Sequence, residues 1–151
     1  MEKENKKIAI GADHAGFELK EKIKNVLHEM GYEVVDLGTN STDSVDYPLI
    51  AKSVATHVAG KNPDKGILIC GTGIGMSIAA NKVRGIIAAN CYDAETAKLS
   101  RQHNNSNILT LGGRTTTFDT AKDIVKVWLE TDFEGGRHQR RIQEIRDLEK
   151  K

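Results

Sequence analysis

The feature of this 151-residue chain that most constrains its fold is the regular alternation of short apolar segments with longer segments of helical period. Five short segments rich in Ile, Val, Leu and Ala have the length and composition of buried strands. Strands that alternate with helices indicate βαβ units and a parallel sheet covered on both faces. Because such crossovers are right-handed, we expect an α/β fold, a doubly wound, Rossmann-like sandwich with a five-stranded parallel sheet.

The predicted elements form a single domain over residues 1–151. The predicted strands cover residues 7–11, 33–37, 66–70, 85–91 and 108–111, and the predicted helices cover 16–30, 48–60, 74–82, 94–102, 118–129 and 138–149. The last helix belongs to a charged C-terminal extension, about residues 134–151, with a thin apolar stripe of Ile142, Ile145 and Leu148. A helix of this length is marginal in water by itself, so we expect it to pack on a partner subunit.

Composition and charge exclude several classes of protein. Hydrophobic residues make up 38% of the chain and the net charge is +1, which argues against the basic surface of a nucleic-acid-binding protein. No apolar run is long enough to cross a membrane, and the charged residues 1–7 lack the apolar core of a signal peptide. Cys70 and Cys91 form neither a CxxC pair nor a zinc-type cluster, so we expect reduced thiols, no metal and a cytoplasmic location.

Cys70 ends the clearest predicted strand and is followed by the glycine-rich loop Gly71-Thr-Gly-Ile-Gly75. Glycines at alternate positions let the backbone approach a ligand, and the loop opens a helix whose free N–H groups attract anions. A cysteine beside such a helix terminus is favoured as its reactive thiolate. The alternative is a buried apolar cysteine, which is how we interpret Cys91. The place of Cys70 at the end of a central strand, where ligands bind in such sheets, favours a functional thiol.

The same loop has a competing interpretation as a dinucleotide-binding loop, because Gly71 and Gly73 follow a strand and acidic Asp93 lies near the end of the next strand. That fingerprint requires its third glycine at position 76, which is Met76 here, and no GxxxxGKS/T phosphate loop is present. We therefore expect no organic cofactor.

Other predicted strand ends also carry polar residues that suit a ligand site. Asp13 and His14 follow the first strand; the alternatives are a helix N-cap for Asp13 and a solvated loop residue for His14. Arg114 follows the fifth strand, where an arginine can hold a phosphate or carboxylate, and a plain surface arginine is the alternative.

Basic residues in the second half of the chain are further candidates for a site, although they do not follow a predicted strand. Arg137 and Arg141 are spaced i, i+4 on one helix face, which indicates an anion site, a solvated basic face or an RNA contact without nearby aromatics. His103 closes the helix before the fifth strand, so it should lie at the opposite end of the sheet from Cys70. If His103 is catalytic, it serves the Cys70 site of a partner subunit; otherwise it interacts with the helix dipole.

Five stretches together resemble one family, the type B ribose-5-phosphate isomerases, grouped with the galactose-6-phosphate isomerase subunits. The stretches are Gly11-Ala-Asp-His-Ala-Gly-Phe17, Asp46-Tyr-Pro48, Ile69-Cys-Gly-Thr-Gly-Ile-Gly-Met-Ser-Ile-Ala-Ala-Asn81, Leu99-Ser-Arg-Gln-His-Asn104 and Glu134-Gly-Gly-Arg-His138. Any one of them is weak, but the five occur in family order across nearly the whole chain.

The resemblance implies a role for the matching residues. Cys70 is the implied base that moves a proton between C1 and C2; some members use a glutamate slightly downstream, where this chain has Ala79 and Ala80. Thr72 and His103 are the implied ring-opening pair. The implied anion hole for the enediolate is Gly71, Gly73, Ile74 and Gly75; the implied sugar contacts are Asp13, His14, Tyr47, Asn81 and Asn104; and the implied phosphate and substrate ligands are Arg114, Arg137 and Arg141. Arg140 receives no role.

The activity implied by the resemblance is aldose–ketose isomerisation of ribose 5-phosphate and ribulose 5-phosphate in the pentose phosphate pathway, by a homodimer, or a tetramer, with sites built from two chains. One alternative is a six-carbon substrate, allose 6-phosphate or galactose 6-phosphate; the galactose 6-phosphate members need two different subunits, whereas Cys70, Thr72 and His103 occur here in one chain. The other alternative is a non-catalytic phosphosugar-binding module, which would need neither Cys70 nor His103.

Overall fold

The computed structural model describes residues 6–150, so residues 1–5, most of the charged start on which the location was predicted, lie outside the described part. The strands are β1 (Lys7–Ala12), β2 (Glu33–Asp36), β3 (Gly66–Cys70), β4 (Ala88–Asn90) and β5 (Ile108–Gly112). The helices are α1 (Phe17–Glu29), α2 (Tyr47–Ala59), α3 (Ile74–Ala80), α4 (Ala94–Gln102), α5 (Phe118–Glu130) and α6 (Arg137–Asp147). All strand pairs are parallel, in the order β2-β1-β3-β5-β4. The predicted α/β sandwich is confirmed.

The sheet separates two apolar cores, because successive side chains of a strand point to opposite faces. Ile67 and Ile69 of β3 pack with α1 and α5, where Trp128 is fully buried. Leu68 and Cys70 of the same strand belong to the other core, with residues of α2 and α3. Strands β3 and β5 are buried along their whole length, which is why both have almost uninterrupted apolar sequences.

The fourth strand is shorter than predicted, since it begins at Ala88 and not at residue 85. Gly85 has a φ of +91°, which is not an extended conformation. The Ile87 N–H donates to the side-chain oxygen of Asn107 at 2.8 Å rather than to a strand. A side chain from the loop before β5 therefore replaces the start of the strand ladder.

Helix α6 is attached to its own chain at its middle and just beyond its last residue. Ile142 is buried, and the Glu149 carboxylate just after the helix accepts the backbone N–H of Gly85. Ile145 and Leu148 stay 43% and 70% exposed, so part of the apolar stripe has no cover within the described chain. The packing of this helix on a partner stays a prediction. Within residues 6–150, no helix is long and apolar enough to span a bilayer.

Candidate active site

Three loops meet at the carboxyl ends of the central strands and are connected by backbone hydrogen bonds. The Asp13 N–H donates to the Ile69 carbonyl at 3.1 Å, which ties the loop after β1 to β3. The Gly113 N–H donates to the Cys70 carbonyl at 2.7 Å, and the Arg114 N–H donates to the Gly71 carbonyl at 3.0 Å. We call the residues gathered here the loop cluster: Asp13, His14, Tyr47, Cys70, Gly71, Thr72, Gly73, Ile74, Gly75 and Arg114.

The Cys70 thiol lies at the inner wall of the loop cluster. The side chain is 5% exposed, and its Sγ accepts the backbone N–H of Gly73 at 3.2 Å. Gly73 has a φ of +85°, which turns the chain from β3 directly into α3. Exposed Thr72 holds the next amide, because its Oγ1 accepts the Ile74 N–H at 3.2 Å.

Tyr47 covers the loop from the start of α2. A Cβ atom at Gly75 would lie 2.6 Å from Cζ of the Tyr47 ring, so only glycine allows this approach. Tyr47, Asp13 and His14 line an open cavity of about 530 Å³, a size that suits a small ligand. The side chain of Arg114 approaches Gly71 on another side of the loop.

Asp13 and His14 are fixed by short-range hydrogen bonds. The Asp13 carboxylate accepts the N–H groups of Ala15 and Gly16 at 2.9 and 3.1 Å. Gly16 is the N-cap of α1 and has no side-chain cap, so Asp13 stabilises the preceding turn and is not the N-cap itself. His14 Nδ1 accepts the Val45 N–H at 3.2 Å, which leaves Nε2 as the protonated nitrogen of the neutral ring.

Asn81, a predicted sugar contact, has a structural partner. Its Nδ2 donates to the Ala88 carbonyl at 3.0 Å, and its Oδ1 accepts the Ala88 N–H at 2.8 Å. The amide therefore pairs with the outer edge of β4 as a neighbouring strand would.

His103 lies away from the loop cluster of its own chain. It follows the last residue of α4 and precedes the start of β5 by five residues, whereas Cys70 pairs with Gly112 at the end of β5. At about 3.3 Å per residue, the length of β5 alone separates the two ends by roughly 13 Å. Three exposed residues lie on the same side of the molecule as His103. Asn104 is the next residue in the chain, and Arg137 and Arg141 lie in α6.

A group around His103 was not predicted from the sequence, and we call it the histidine cluster: His103, Glu134 and His138. The imidazoles of His103 and His138 stack with centroids 4.3 Å apart, and His138 Nε2 lies 3.5 Å from the Glu134 carboxylate. Loss of hydration lowers the pKa of His138, with further lowering by His103 and Arg137, while Glu134 acts in the opposite direction. The sequence signal that could have revealed this group is the i, i+4 spacing of Glu134 and His138 in the stretch Glu134-Gly-Gly-Arg-His138. Within residues 6–150, the histidine cluster is the group of His, Cys, Asp and Glu side chains whose ligand atoms lie close enough together to hold a metal ion.

Comparison with known proteins identifies the family of the chain. The family model described as Ribose/Galactose Isomerase matches residues 8–145. The ribose-5-phosphate isomerase B of Escherichia coli is 52% identical over 146 residues, which are 97% of this chain and 98% of the relative. The solved ribose-5-phosphate isomerase B of Clostridium thermocellum has a TM-score of 0.94 at 51% identity, covering 95% of this chain and 97% of that one.

A second solved relative contains a sugar phosphate. The structure of ribose-5-phosphate isomerase B from Mycoplasma genitalium with bound ribulose-5-phosphate has a TM-score of 0.92 at 48% identity, covering 96% of this chain and 97% of that one. The resemblance found from five sequence stretches is confirmed. The chain belongs to the ribose/galactose isomerase family.

Proposed function

We propose that this chain is an aldose–ketose isomerase that interconverts ribose 5-phosphate and ribulose 5-phosphate in the pentose phosphate pathway. The observation that carries the proposal is the ribulose-5-phosphate bound by the Mycoplasma genitalium relative, which is similar over nearly the whole of both chains. The thiol of Cys70 at the wall of the loop cluster supplies a group suited to the proton transfer.

Cys70 acts as the base in this proposal. Its thiolate removes the proton from C2 of the open-chain aldose, and the C1 carbonyl becomes an enediolate oxygen. The hydroxyl proton on O2 then passes to O1, and Cys70 returns its proton to C1, which leaves the ketose carbonyl at C2. The amides of Gly71, Gly73, Ile74 and Gly75 form the anion hole, since preorganised N–H groups stabilise a developing oxyanion strongly. His103 and Thr72 open the furanose ring before this step. His103 takes the proton of the C1 hydroxyl, the bond between C1 and the ring oxygen breaks to leave the C1 carbonyl, and the ring oxygen is protonated to a hydroxyl.

The remaining polar residues hold the substrate. Asp13, His14, Tyr47, Asn81 and Asn104 contact the sugar, and Arg114, Arg137 and Arg141 bind the phosphate, for which a guanidinium offers paired donors. The hydrogen bonds that fix Asp13 and His14, and the cavity beside Tyr47, support this assignment for the first three. Asn81 would have to give up Ala88 to contact a sugar. No organic cofactor and no metal take part in the proposed reaction.

We infer a homodimer, or a tetramer of such dimers, with active sites built from two chains. The separation of His103 from Cys70 within one chain supports this, because a second copy can bring His103, Arg137 and Arg141 to the loop cluster. Ile74 and Ile78 of α3 are 55% and 59% exposed beside the loop, an apolar surface that suits an interface. The two free, buried cysteines are consistent with our proposal of a cytoplasmic location.

A six-carbon substrate is the second candidate, because the matching family model covers ribose and galactose isomerases alike. Incubation with ribose 5-phosphate in deuterated water separates the possibilities, with allose and galactose 6-phosphates run in parallel. We expect ribulose 5-phosphate with solvent deuterium on the transferred position. Turnover of a hexose phosphate alone would reassign the substrate, and binding without turnover would indicate a non-catalytic phosphosugar-binding module.

A further inference from the structure

The histidine cluster contains the donor atoms of a metal site and has no assigned function of that kind. One ligand atom each from His103, Glu134 and His138 can be chosen so that all three lie within 4.8 Å of one another. Two imidazole nitrogens and a carboxylate oxygen form a donor set that suits zinc and similar divalent transition metals.

The spacing is close to that of a tetrahedral site. Bonds of about 2.1 Å place tetrahedral ligand atoms about 3.4 Å apart. His138 Nε2 and Glu134 Oε1 are already 3.5 Å apart. The two stacked imidazoles must tilt towards each other, because the lone pair of an imidazole nitrogen lies in the plane of its ring. His103 is only partly buried and can make this rotation.

The three side chains are held together by the backbone. The Glu134 N–H donates to the Gln102 carbonyl at 3.1 Å, which fixes Glu134 beside the end of α4 and therefore beside His103. His138 lies in the first turn of α6, one turn beyond Glu134, and is 8% exposed. The Glu134 side chain is 51% exposed, so an ion has a path from solvent and room for a water as fourth ligand.

We propose that the histidine cluster binds a divalent transition-metal cation of the zinc type, and that the bound ion inhibits isomerisation by occupying His103. The inhibition half rests on the proposed function of His103 in ring opening. The guanidinium groups of Arg137 and Arg141 act on His138 electrostatically and also repel a cation. The site is therefore suited to a reversible inhibitor and not to a permanently bound cofactor.

Metal binding is tested by calorimetric titration of the metal-free protein with Zn²⁺, in a Cys70→Ser background that removes the competing thiol of the loop cluster. We expect one ion per chain. Glu134→Gln should weaken binding at least about tenfold, because losing even an outer-shell partner costs that much at metal sites. Glu144→Gln, an exposed glutamate on the same helix, should leave the affinity unchanged. No binding, or equal affinity with Glu134→Gln, would overturn the site.

The inhibition half is tested with ribose 5-phosphate and the chain that retains Cys70. Zn²⁺ should inhibit the unsubstituted protein and the Glu144→Gln variant alike, and Glu134→Gln should need at least about tenfold more Zn²⁺ for half inhibition. Equal inhibition of Glu134→Gln, despite its weaker binding, would place the inhibitory ion elsewhere and overturn this half. A chain that binds one ion but isomerises no sugar would contradict the proposed function and leave the metal site standing.

Discussion

At the scale of single residues, Cys70 and Cys91 show how surroundings decide what a thiol can do. Both are buried, and both are free. Burial raises the pKa of Cys91, and its Sγ lies 3.8 Å from the Ser100 hydroxyl of α4. Cys70 instead accepts a backbone N–H at the head of the glycine loop. Both thiols belong to apolar cores, and the proposed catalytic role goes to Cys70 because it begins the glycine-rich loop.

Replacing Cys70 with alanine should therefore remove isomerisation while ribose 5-phosphate binding survives. General acid–base groups contribute about 10²–10⁴-fold, so kcat should fall by at least about that range. Cys91→Ala is the matched control and should keep kcat within about threefold, with a modest loss of stability from the cavity. Initial rates of ketose formation and calorimetric binding measure both effects. Full activity of Cys70→Ala would exclude this thiol as the base.

Gly75 offers a second test at the residue scale. A methyl group there overlaps the Tyr47 ring, so Gly75→Ala should displace Tyr47 and raise KM for the sugar phosphate. Gly60→Ala is the control, because its added Cβ would lie 3.5 Å or more from its neighbours and its φ of −77° suits alanine. Steady-state kinetics would decide: an unchanged KM in Gly75→Ala would separate Tyr47 from substrate binding.

At the scale of elements, the apolar pattern of the sequence predicts which strands are buried. It does not predict where a side chain takes the place of a backbone hydrogen-bond partner and ends a strand. Strand β3 was predicted to the residue because its whole length lies in the core. Strand β4 was predicted too long, since the carboxamide of Asn107 occupies the Ile87 N–H and no periodicity reports that bond. The sequence likewise does not distinguish a turn role from an N-cap role for Asp13, because the choice depends on where α1 begins, and its N-cap is Gly16.

Helix α1 is tied to β2 by charges that give the fold a pH dependence. Lys20 is fully buried, and its ammonium lies 2.7 Å from the Asp36 carboxylate, as does that of Lys24. Burial opposes ionisation of Asp36, but the two lysines and the Gly38 N–H outweigh it and lower its pKa. A lowered pKa in the folded state adds stability above the unfolded value of about 3.9, and that stability is lost as pH falls through the folded pKa.

The stability difference between the unsubstituted protein and Asp36→Asn should therefore be large at pH 7 and shrink as the pH falls below about 4. Urea unfolding followed by circular dichroism at a series of pH values measures it. Asp43→Asn, an exposed carboxylate in the loop before α2, is the control and should show little difference at any pH. A difference for Asp36→Asn that does not change with pH would show that its charge does not stabilise the fold.

At the scale of the whole molecule, the residues of the predicted site fall into two groups at opposite ends of one sheet. The loop cluster could be predicted, because a strand order of βαβ type brings carboxyl ends together. The position of His103 also followed from the order of elements. The stack of His103 on His138 could not be predicted, because it depends on how α6 returns to α4 after two glycines with positive φ.

The apolar face of α3 should be needed for assembly. Ile78→Lys places a charge on an exposed apolar position beside the loop cluster, so it should convert the proposed oligomer to monomers and reduce isomerisation in parallel. Glu29→Lys at the end of α1 changes the charge on a different surface and should leave both unchanged. Sedimentation velocity reports the mass. An Ile78→Lys protein that keeps its oligomeric mass would exclude this face as the interface.

The most direct test of a shared active site mixes two inactive variants, Cys70→Ala and His103→Ala. After unfolding and refolding together in equal amounts, half of the dimers contain both variants, and each mixed dimer has one site with Cys70 from one chain and His103 from the other. We predict that the mixture regains about one quarter of the wild-type rate with ribose 5-phosphate, whereas either variant refolded by itself stays inactive. A mixture that stays inactive, although mixed dimers are found by mass, would contradict a site that joins Cys70 of one chain to His103 of another.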